Sequence, residues 1–513
     1  MKINRIVSSA LKLVLATALL ASSVQAKEAS SSVLITNAML VDGTGAKAQP
    51  SAAVRIEGDR IVAVGKLKPK KGEQVVDAHG LVLAPGFIDT HSHHDRGVSK
   101  HRTVEPAVSQ GVTTIIVGQD GGSSIPVDTL FKELDAEPIA VNTASYIGHG
   151  SVRKQVMGDD FKRVATAAEV DRMRELVAAS MKLGALGLST GLEYDPGIYA
   201  DRSEVVALTA EAAKFGGRYI SHMRSEDRDV WKALEEVIEL GRVTGAHVQV
   251  SHMKLAMTDW WGQADRFINM MDRARAEGVK ITGDVYPYDF WHSWLSVLFP
   301  ERDFDNRATV DFVLRSLAPP DGITITGNKA DPSVVGKTVA QIATERNVEP
   351  AVVVMDLLRE MQKVKSEVSV NGTSMREDDV AKFIAWPHNN ICSDGSIGGA
   401  HPRGAGAFTR VLRMYVREQK LLTLEQAIHK MSGLAAEHVG LEGRGVIKAG
   451  AFADLVLLDP ATVTDRATRA EPGALSVGIE RVWVNGQPVF EQGHSNGKFP
   501  GKPIRRDPTP TKS

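Results

Sequence analysis

The chain has 513 residues, of which 43% are hydrophobic and 24% are charged. This composition is typical of a globular protein with a large core and excludes a disordered or fibrous one. Lysine and arginine number 61 against 62 aspartates and glutamates, a balance that argues against a nucleic-acid-binding protein, which normally carries a basic excess. The single cysteine, Cys392, excludes an internal disulfide and any metal site built from several thiolates.

Residues 1–26 predict a secretory signal peptide. They begin with three basic side chains, continue with an apolar run over residues 13–21, and end on small residues at 24 and 26, where signal peptidase cleaves. The apolar run is well short of the roughly 20 residues that a membrane-spanning helix needs. We therefore expect an exported protein, periplasmic or secreted, with no stable membrane insertion after cleavage.

Short β-rich runs near both ends of the chain predict one small domain. Examples lie at 33–35 and 453–458, and turns containing glycine separate the runs. Two such clusters at opposite ends of a chain often pair with each other. We therefore predict a β-sandwich domain from residues 27–84 and 446–496, followed by a polar tail over 497–513.

Between these clusters, apolar β runs alternate with helical stretches, the pattern of βα units around a parallel sheet. The eight predicted strands span residues 87–90, 112–117, 140–146, 185–189, 219–221, 247–251, 281–286 and 390–393. Eight such units predict an α/β fold, a (β/α)8 TIM-like barrel over residues 85–445, with its chemistry at the carboxyl ends of the strands. The stretch over about 290–388 is too long for a plain loop and predicts an insertion before the last strand.

Side chains that bind metals recur at the predicted strand ends. His91 and His93 follow the first strand and, because side chains on a strand alternate, point to the same face. His222, His252 and Asp394 end the fifth, sixth and eighth strands. The carboxyl ends of barrel strands converge on one mouth, so these four imidazoles and one carboxylate predict a site for a divalent metal such as zinc.

Together these motifs resemble the amidohydrolase superfamily and, in finer detail, its D-aminoacylase (N-acyl-D-amino-acid deacylase) family. The resemblance covers most of the chain after the predicted signal peptide. The supporting stretches are 84–93 (APGFIDTHSH), 110–118 (QGVTTIIVG), 144–150 (ASYIGHG), 184–194 (GALGLSTGLEY), 221–226 (SHMRSE), 251–254 (SHMK), 286–288 (YPY), 393–395 (SDG) and 445–456 (GVIKAGAFADLV).

The resemblance implies a metal-dependent hydrolase that cleaves the amide bond of N-acyl-D-amino acids. The products are a carboxylate and a free D-amino acid, and a metal-activated water attacks the carbonyl carbon. The histidines at the strand ends would hold one or two zinc ions, and Asp394 would act as general base and then as general acid. The D configuration follows from the resemblance alone.

Two positions depart from the pattern of the family. The family usually has a cysteine ligand in a GNCG-like turn after the second strand, where residues 118–121 (GQDG) place Asp120. Other amidohydrolases bridge two metals with a carbamylated lysine on the fourth strand, and that strand has no lysine here. We predict Glu193 as the bridging metal ligand and Asp120 as an alternative ligand or a group behind the ligands.

The substrate carboxylate requires cationic or phenolic donors. Lys254 resembles the carboxylate-binding lysine of the family, and Tyr286 is its predicted partner. His149 in the GHG stretch is a further candidate for substrate binding, and so is Arg376 in the insertion, for which a solvated surface position is the favoured alternative. Five aromatic residues within 286–294 predict an apolar wall that favours a bulky hydrophobic acyl group or side chain.

Two other functions remain open at this stage. A dipeptidase or cyclic amidase of the same superfamily, similar to dihydropyrimidinase or isoaspartyl dipeptidase, would share the barrel and its metal site. The missing lysine on the fourth strand argues against that function. An exported metal-binding protein without enzymatic activity would not need a general base at Asp394. The predicted partner is therefore a small N-acylated amino acid and not a nucleic acid.

Overall fold

The computed structural model describes residues 32–507. The predicted signal peptide, residues 1–26, and the end of the predicted tail lie outside the described residues. Every helix within residues 32–507 is too short or too polar to span a membrane.

The strands are numbered in chain order. They are β1 (Val33–Leu40), β2 (Gln49–Glu57), β3 (Arg60–Gly65), β4 (Gln74–Asp77), β5 (Val82–Pro85), β6 (Phe87–Asp89), β7 (Val112–Val117), β8 (Asn142–Ser145), β9 (Ile147–Gly148), β10 (Gly187–Gly191), β11 (Arg218–His222), β12 (Val248–Val250), β13 (Ile281–Val285), β14 (Phe290–Trp294), β15 (Ile323–Gly327), β16 (Ser369–Thr373), β17 (Asn389–Ile391), β18 (Leu455–Leu458), β19 (Ile479–Val484), β20 (Gln487–Glu491) and β21 (His494–Ser495).

The helices are numbered in the same way. They are α1 (Glu105–Val108), α2 (Asp128–Ala136), α3 (His149–Met157), α4 (Ala167–Lys182), α5 (Arg202–Lys214), α6 (Val230–Thr244), α7 (Ala264–Ala276), α8 (Arg307–Phe312), α9 (Val339–Arg346), α10 (Pro350–Val364), α11 (Glu377–Ala385), α12 (Arg403–Arg410), α13 (Leu424–Met431) and α14 (Gly433–Val439). Two π-helical segments, Val313–Leu317 and Val411–Glu418, extend α8 and α12.

Both ends of the described chain contribute to one nine-stranded sheet. Its order is β21-β20-β19-β18-β5-β1-β2-β3, with β4 paired to β1. The two halves of the sheet join where β18 runs antiparallel to β5, with Leu457 opposite Leu83. Alternating side chains of these strands, among them Ile35, Val54 and Trp483, form a core that is separate from the core of the barrel.

The middle of the chain forms the predicted (β/α)8 barrel. Parallel pairing runs through β6-β7-β8 and through β9-β10-β11-β12-β13-β17, and β8 and β9 are two parts of one barrel strand interrupted at Tyr146. The ring closes where the His93 amide donates to the Gly395 carbonyl and the Asp394 amide donates to the His91 carbonyl, each at 2.8 Å. Strands such as β7 (VTTIIV) are buried on both faces, as expected for a parallel sheet covered by helices.

The long segment between β13 and β17 contains its own small sheet. Its strands β14, β16 and β15 pair in that order and are antiparallel. Helices α8, α9 and α10 belong to this segment, whereas α11 packs on α7 of the barrel and leads into β17. The sheet places the aromatic stretch of β14 beside the mouth of the barrel.

The described part of the predicted tail crosses the opposite face of the barrel from the site. The amides of Gly501 and Ile504 donate to the carbonyls of Ile139, just before β8, and of Thr143, within β8. This end of the barrel is therefore covered, and access to the interior is from the carboxyl ends of the strands.

Candidate metal centre

All six predicted metal-binding residues and the predicted base lie directly after barrel strands or at their ends. His222 is the last residue of β11, and the others lie in the first residues after β6, β7, β10, β12 and β17. Asp120, His252 and Asp394 have left-handed backbones with φ of 52°, 33° and 48°. This conformation costs of order 1–3 kcal/mol for a residue with a Cβ atom, and such strain clusters at functional sites. Here the turn of the backbone brings the three side chains to the mouth.

The first group of side chains consists of His91, His93, Asp120 and Asp394, whose ligand atoms all lie within 4.8 Å of one another. His93 Nε2 is 3.1 Å from Asp120 Oδ2 and 3.3 Å from Asp394 Oδ1. His91 Nε2 is 3.3 Å from Asp120 Oδ1. All four side chains are largely excluded from solvent.

A second group shares Asp120 with the first. It consists of Asp120, His222 and His252. His252 Nε2 lies 3.5 Å from Asp120 Oδ1 and 3.2 Å from His222 Nδ1. The two oxygens of Asp120 therefore face the imidazoles of three strands.

Glu193 lies on the far side of His222. Its Oε2 atom is 3.0 Å from His222 Nε2, and its Oε1 atom accepts the Glu226 amide at 2.8 Å. Glu193 forms a third group with His222 and Glu226, but it joins neither of the groups that contain Asp120. We predicted that Glu193 bridges two metal ions, but this geometry does not fit that prediction. Asp120 is the carboxylate that lies between the His91–His93 pair and the His222–His252 pair.

The donor atoms fit a divalent metal. His91 Nε2 and Asp120 Oδ1 are buried without a hydrogen-bond partner, a costly state for polar atoms unless they coordinate an ion. Imidazole nitrogens and carboxylate oxygens at the mouth of a closed barrel are the ligands that zinc takes in catalytic sites. The arrangement can hold one ion in each group, with Asp120 between them.

The carboxylates of the centre differ in their electrostatic surroundings. Burial alone raises the pKa of Asp394, but the positive charges of Arg403 and His252 outweigh it and hold that pKa well below its ordinary value. Burial likewise opposes ionisation of Asp120, and contacts with His91 and His252 lower its pKa well below the ordinary value. For Glu193 burial prevails, and its pKa is raised to about 7 despite the hydrogen bond with His222.

Beside the metal groups, two cations flank a buried phenol. Lys254 Nζ and the Arg403 guanidinium lie 5.8 Å and 4.7 Å from the centre of the Tyr286 ring. The Tyr286 hydroxyl is buried without a hydrogen-bond partner. Arg403 also binds Asp394, with Nη1 at 2.7 Å from Oδ2. This arrangement can bind a carboxylate next to the metal groups.

Two of these functional residues were not identified from the sequence. Arg403 begins α12, nine residues beyond Asp394, in a stretch of small residues (HPRGAGA) whose only signal is an isolated arginine near the last strand. Glu226 was visible as the last residue of the HMRSE stretch. It binds Lys254 Nζ at 2.7 Å and His252 Nδ1 at 2.9 Å.

Two residues predicted to bind substrate lie elsewhere. The Arg376 side chain is 44% exposed and forms an ion pair with Asp378. His149 is completely buried, with Nε2 at 2.7 Å from Glu204 Oε1, and Glu204 also pairs with Arg153. The structure corrects both predictions, because one side chain faces solvent and the other is held in an internal ion-pair network behind the site.

Comparisons with known proteins relate the chain to one family. Residues 74–320 and 390–490 match the model of the amidohydrolase family. In Alcaligenes xylosoxydans xylosoxydans, an N-acyl-D-glutamate deacylase is 35% identical over 93% of this chain and 96% of its own length, and a D-aminoacylase is 34% identical over 92% and 97%. The structure of N-acyl-D-glutamate deacylase from Bordetella bronchiseptica, complexed with zinc and a phosphonate mimic of the tetrahedral intermediate, superposes with a TM-score of 0.81 at 35% identity, covering 92% of this chain and 99% of that one.

Proposed function

The chain belongs to the amidohydrolase family and, within it, to the N-acyl-D-amino-acid deacylases, and on that premise we propose that it hydrolyses N-acyl-D-amino acids to a carboxylate and a free D-amino acid. The observation that carries this proposal is that one cavity is lined by His222 and His252 of the second metal group, by Asp394, and by Lys254, Tyr286 and Arg403. A carboxylate receptor and a metal-binding group therefore share one cavity, which suits the binding of an amide that lies next to a carboxylate.

We assign His91 and His93 to one ion, His222 and His252 to a second, and Asp120 to both. Zinc suits this donor set, and it is the metal in the Bordetella bronchiseptica relative. A divalent ion held there supplies Lewis acidity, which lowers the pKa of water and polarises a carbonyl group.

Asp394 is proposed as the proton carrier of the reaction. Its Oδ1 atom faces the first metal group, while its Oδ2 atom forms an ion pair with Arg403 Nη1. Because Arg403 helps to keep this carboxyl ionised, it can accept a proton from the attacking water. The same carboxyl then delivers the proton to the nitrogen that leaves as the amine.

Arg403, Lys254 and Tyr286 are proposed to bind the α-carboxylate of the substrate. The guanidinium and the ammonium supply charge, and the buried phenol supplies a donor that has no other partner. Holding the carboxylate in this way orients the amide carbonyl toward the metal groups.

The experiment that tests the function uses pairs of N-acetyl-D- and N-acetyl-L-amino acids with the zinc-loaded protein and a chelated sample as control. We expect hydrolysis of the D series only, with its loss on chelation. Turnover of dipeptides or cyclic amides instead would contradict the substrate assignment, and tight zinc binding without hydrolysis of any amide would favour a metal-binding protein.

Export is a separate proposal that rests on the sequence of residues 1–26. Expression of the full chain in a Gram-negative host should yield periplasmic or secreted protein whose mature N-terminus lies near Lys27, measured by fractionation and intact mass. Full-length protein confined to the cytoplasm would contradict it.

A further inference from the structure

Two aspartates are completely buried where barrel strands end. Asp89 is the last residue of β6, two positions before His91, and Asp284 lies in β13, the strand that pairs with β12. Burying a carboxylate is costly unless hydrogen-bond donors converge on it. Donors to these two side chains come from the turns that carry residues of the metal groups.

Asp284 holds the turn that carries His252. Its Oδ1 atom accepts the His252 amide at 2.5 Å, and its backbone carbonyl accepts the next amide, that of Met253, at 2.8 Å. Its Oδ2 atom accepts Gln249 Nε2 at 2.5 Å. The left-handed backbone of His252, with φ of 33°, persists only where its surroundings constrain it. Two consecutive amides bound to one residue of the neighbouring strand supply that constraint.

Asp89 spans the seam where the barrel closes. Within residues 32–507, β6 and β17 belong to different sheets, so no strand ladder aligns them. Ser393, the residue before Asp394, donates its amide to Asp89 Oδ1 at 2.8 Å and its hydroxyl to Asp89 Oδ2 at 2.5 Å. The same hydroxyl accepts the Gly395 amide at 3.0 Å. Through Ser393, Asp89 therefore holds the chain on both sides of Asp394.

The two carboxylates act on different metal groups. Asp89 ends the strand that leads into the two histidines of the first group, and it aligns them with Asp394 across the seam. Asp284 acts on His252, which belongs to the second group. We propose that Asp89 and Asp284 are positioning residues, each of which keeps one metal group in the geometry that binds an ion. This inference rests on the metal assignment of the proposed function and extends it to two residues that lie behind the ligands.

The test measures the zinc affinity of each group by competition with a chromophoric chelator. The variants His93→Ala and His222→Ala each remove a ligand of one group and so assign the measured affinities. Asp284→Val leaves the His252 amide without its acceptor at nearly unchanged side-chain volume, and it should lower the zinc affinity of the second group about 10–100-fold. Asp89→Val should do the same to the first group. Each valine variant should affect the other group less.

Asparagine at the same positions separates the hydrogen bonds from the charge. Its carbonyl oxygen still accepts the backbone amide, and its NH2 group can donate to the Ser393 hydroxyl or to the Gln249 side chain once that amide turns over. We therefore expect Asp89→Asn and Asp284→Asn to retain most of the zinc affinity that the valine variants lose. Serine, whose side chain is too short to reach these amides, replaces valine where a valine variant does not fold, and the same loss is expected.

Asp454→Val is the matched control for the loss of a buried carboxylate. Asp454 is 5% exposed, and its Oδ1 atom accepts the Asn485 amide at 2.7 Å in the domain that the two chain ends form. Its replacement should lower the stability of the fold, measured by thermal unfolding. The zinc affinity of the folded protein should remain that of the wild type, because Asp454 contacts neither metal group.

Three results would overturn the inference while leaving the metal site and the deacylase function intact. The first is wild-type zinc affinity in the folded valine or serine variants. The second is an equal loss in the asparagine variants, which would show that charge and not hydrogen bonding is what the aspartates supply. The third is an equal loss in Asp454→Val. If the wild-type protein binds no zinc, the proposed function itself fails and the inference fails with it.

Discussion

Glu226 lies directly behind His252. Its Oε1 atom is 2.9 Å from Nδ1 of the imidazole, while Nε2 on the other edge of the ring lies 3.5 Å from Asp120 Oδ1. The same Nδ1 atom lies 2.7 Å from Lys254 Nζ, so Glu226 and Lys254 both approach one edge of the ring, and Nε2 on the other edge faces the metal groups. The other oxygen of Glu226 holds Lys254 Nζ at 2.7 Å. One buried carboxylate thus orients a metal ligand and a cation of the substrate receptor.

Glu226→Gln should weaken both metal binding through His252 and substrate binding through Lys254. We expect zinc affinity to fall about 10–100-fold, because the amide no longer fixes the orientation and basicity of His252. KM should rise in the same variant, because Lys254 loses its anchor. Zinc competition with a chromophoric chelator measures the first effect without reference to activity. Asp229→Asn, an exposed charge on the same segment, is the control, and an unchanged zinc affinity in Glu226→Gln would contradict the orienting role.

Asp120→Cys tests which carboxylate the two ions share. With cobalt(II) in place of zinc, a thiolate ligand produces a thiolate-to-cobalt charge-transfer absorption. We expect this band in Asp120→Cys and not in the wild-type protein, whose single thiol, Cys392, is buried in contact with Asp284. Glu193→Cys is the matched comparison. A band of equal strength there, with none for Asp120→Cys, would restore Glu193 as the bridge.

The sequence predicted the barrel and its ligand histidines for a topological reason. Parallel strands of a closed barrel end at one mouth, so His222 and His252 could be placed together from strand order alone. The choice between Asp120 and Glu193 depends on the direction of each side chain, and the left-handed backbone of Asp120 is set by its tertiary surroundings. Strand periodicity does not encode that turn.

The substrate receptor was harder to predict for a related reason. Arg403 reaches the site from the start of a helix, and only packing against Asp394 and Tyr286 shows where its side chain lies. Arg376 had the same chemistry in a plausible segment but faces solvent. Side-chain chemistry identified the residue type that was needed, while its position depended on contacts between distant segments.

Arg403→Met and Arg376→Met form a matched pair of arginine removals. Arg403→Met should raise KM for N-acetyl-D-leucine about 100-fold, equivalent to losing roughly 3 kcal/mol of a buried charge-assisted contact. Arg376→Met should leave KM within about twofold, because an exposed ion pair contributes little. Steady-state kinetics on zinc-loaded protein measures both. Similar KM values for the two variants would contradict the role of Arg403 in binding the substrate carboxylate.

Asp394→Asn separates proton transfer from metal binding. The amide keeps the size of the side chain but cannot accept a proton, so kcat should fall about 10²–10⁴-fold. The histidines and Asp120 remain, and we therefore expect the zinc content, measured by elemental analysis, to be unchanged. Loss of zinc together with activity would show that Asp394 is needed as a metal ligand. Full activity in Asp394→Asn would contradict its role as the general base.

An ion pair between β2 and the residue before β4 supplies a prediction for stability against pH. Arg55 Nε lies 2.7 Å from Glu73 Oε1, and this hydrogen bond, against the opposing effect of burial, lowers the pKa of Glu73 from 4.5 to about 2. The folded protein therefore binds fewer protons here than the unfolded chain, so the stabilisation is complete above pH 4.5 and is lost as the pH falls toward 2. Glu73→Gln should destabilise the protein by about 1–3 kcal/mol at neutral pH, and its difference from wild type should shrink in acid. Urea unfolding across this pH range measures the difference, with the more exposed Glu57→Gln as control. If the difference in the free energy of unfolding between wild type and Glu73→Gln stays constant down to about pH 2, ionised Glu73 is not the cause of that difference.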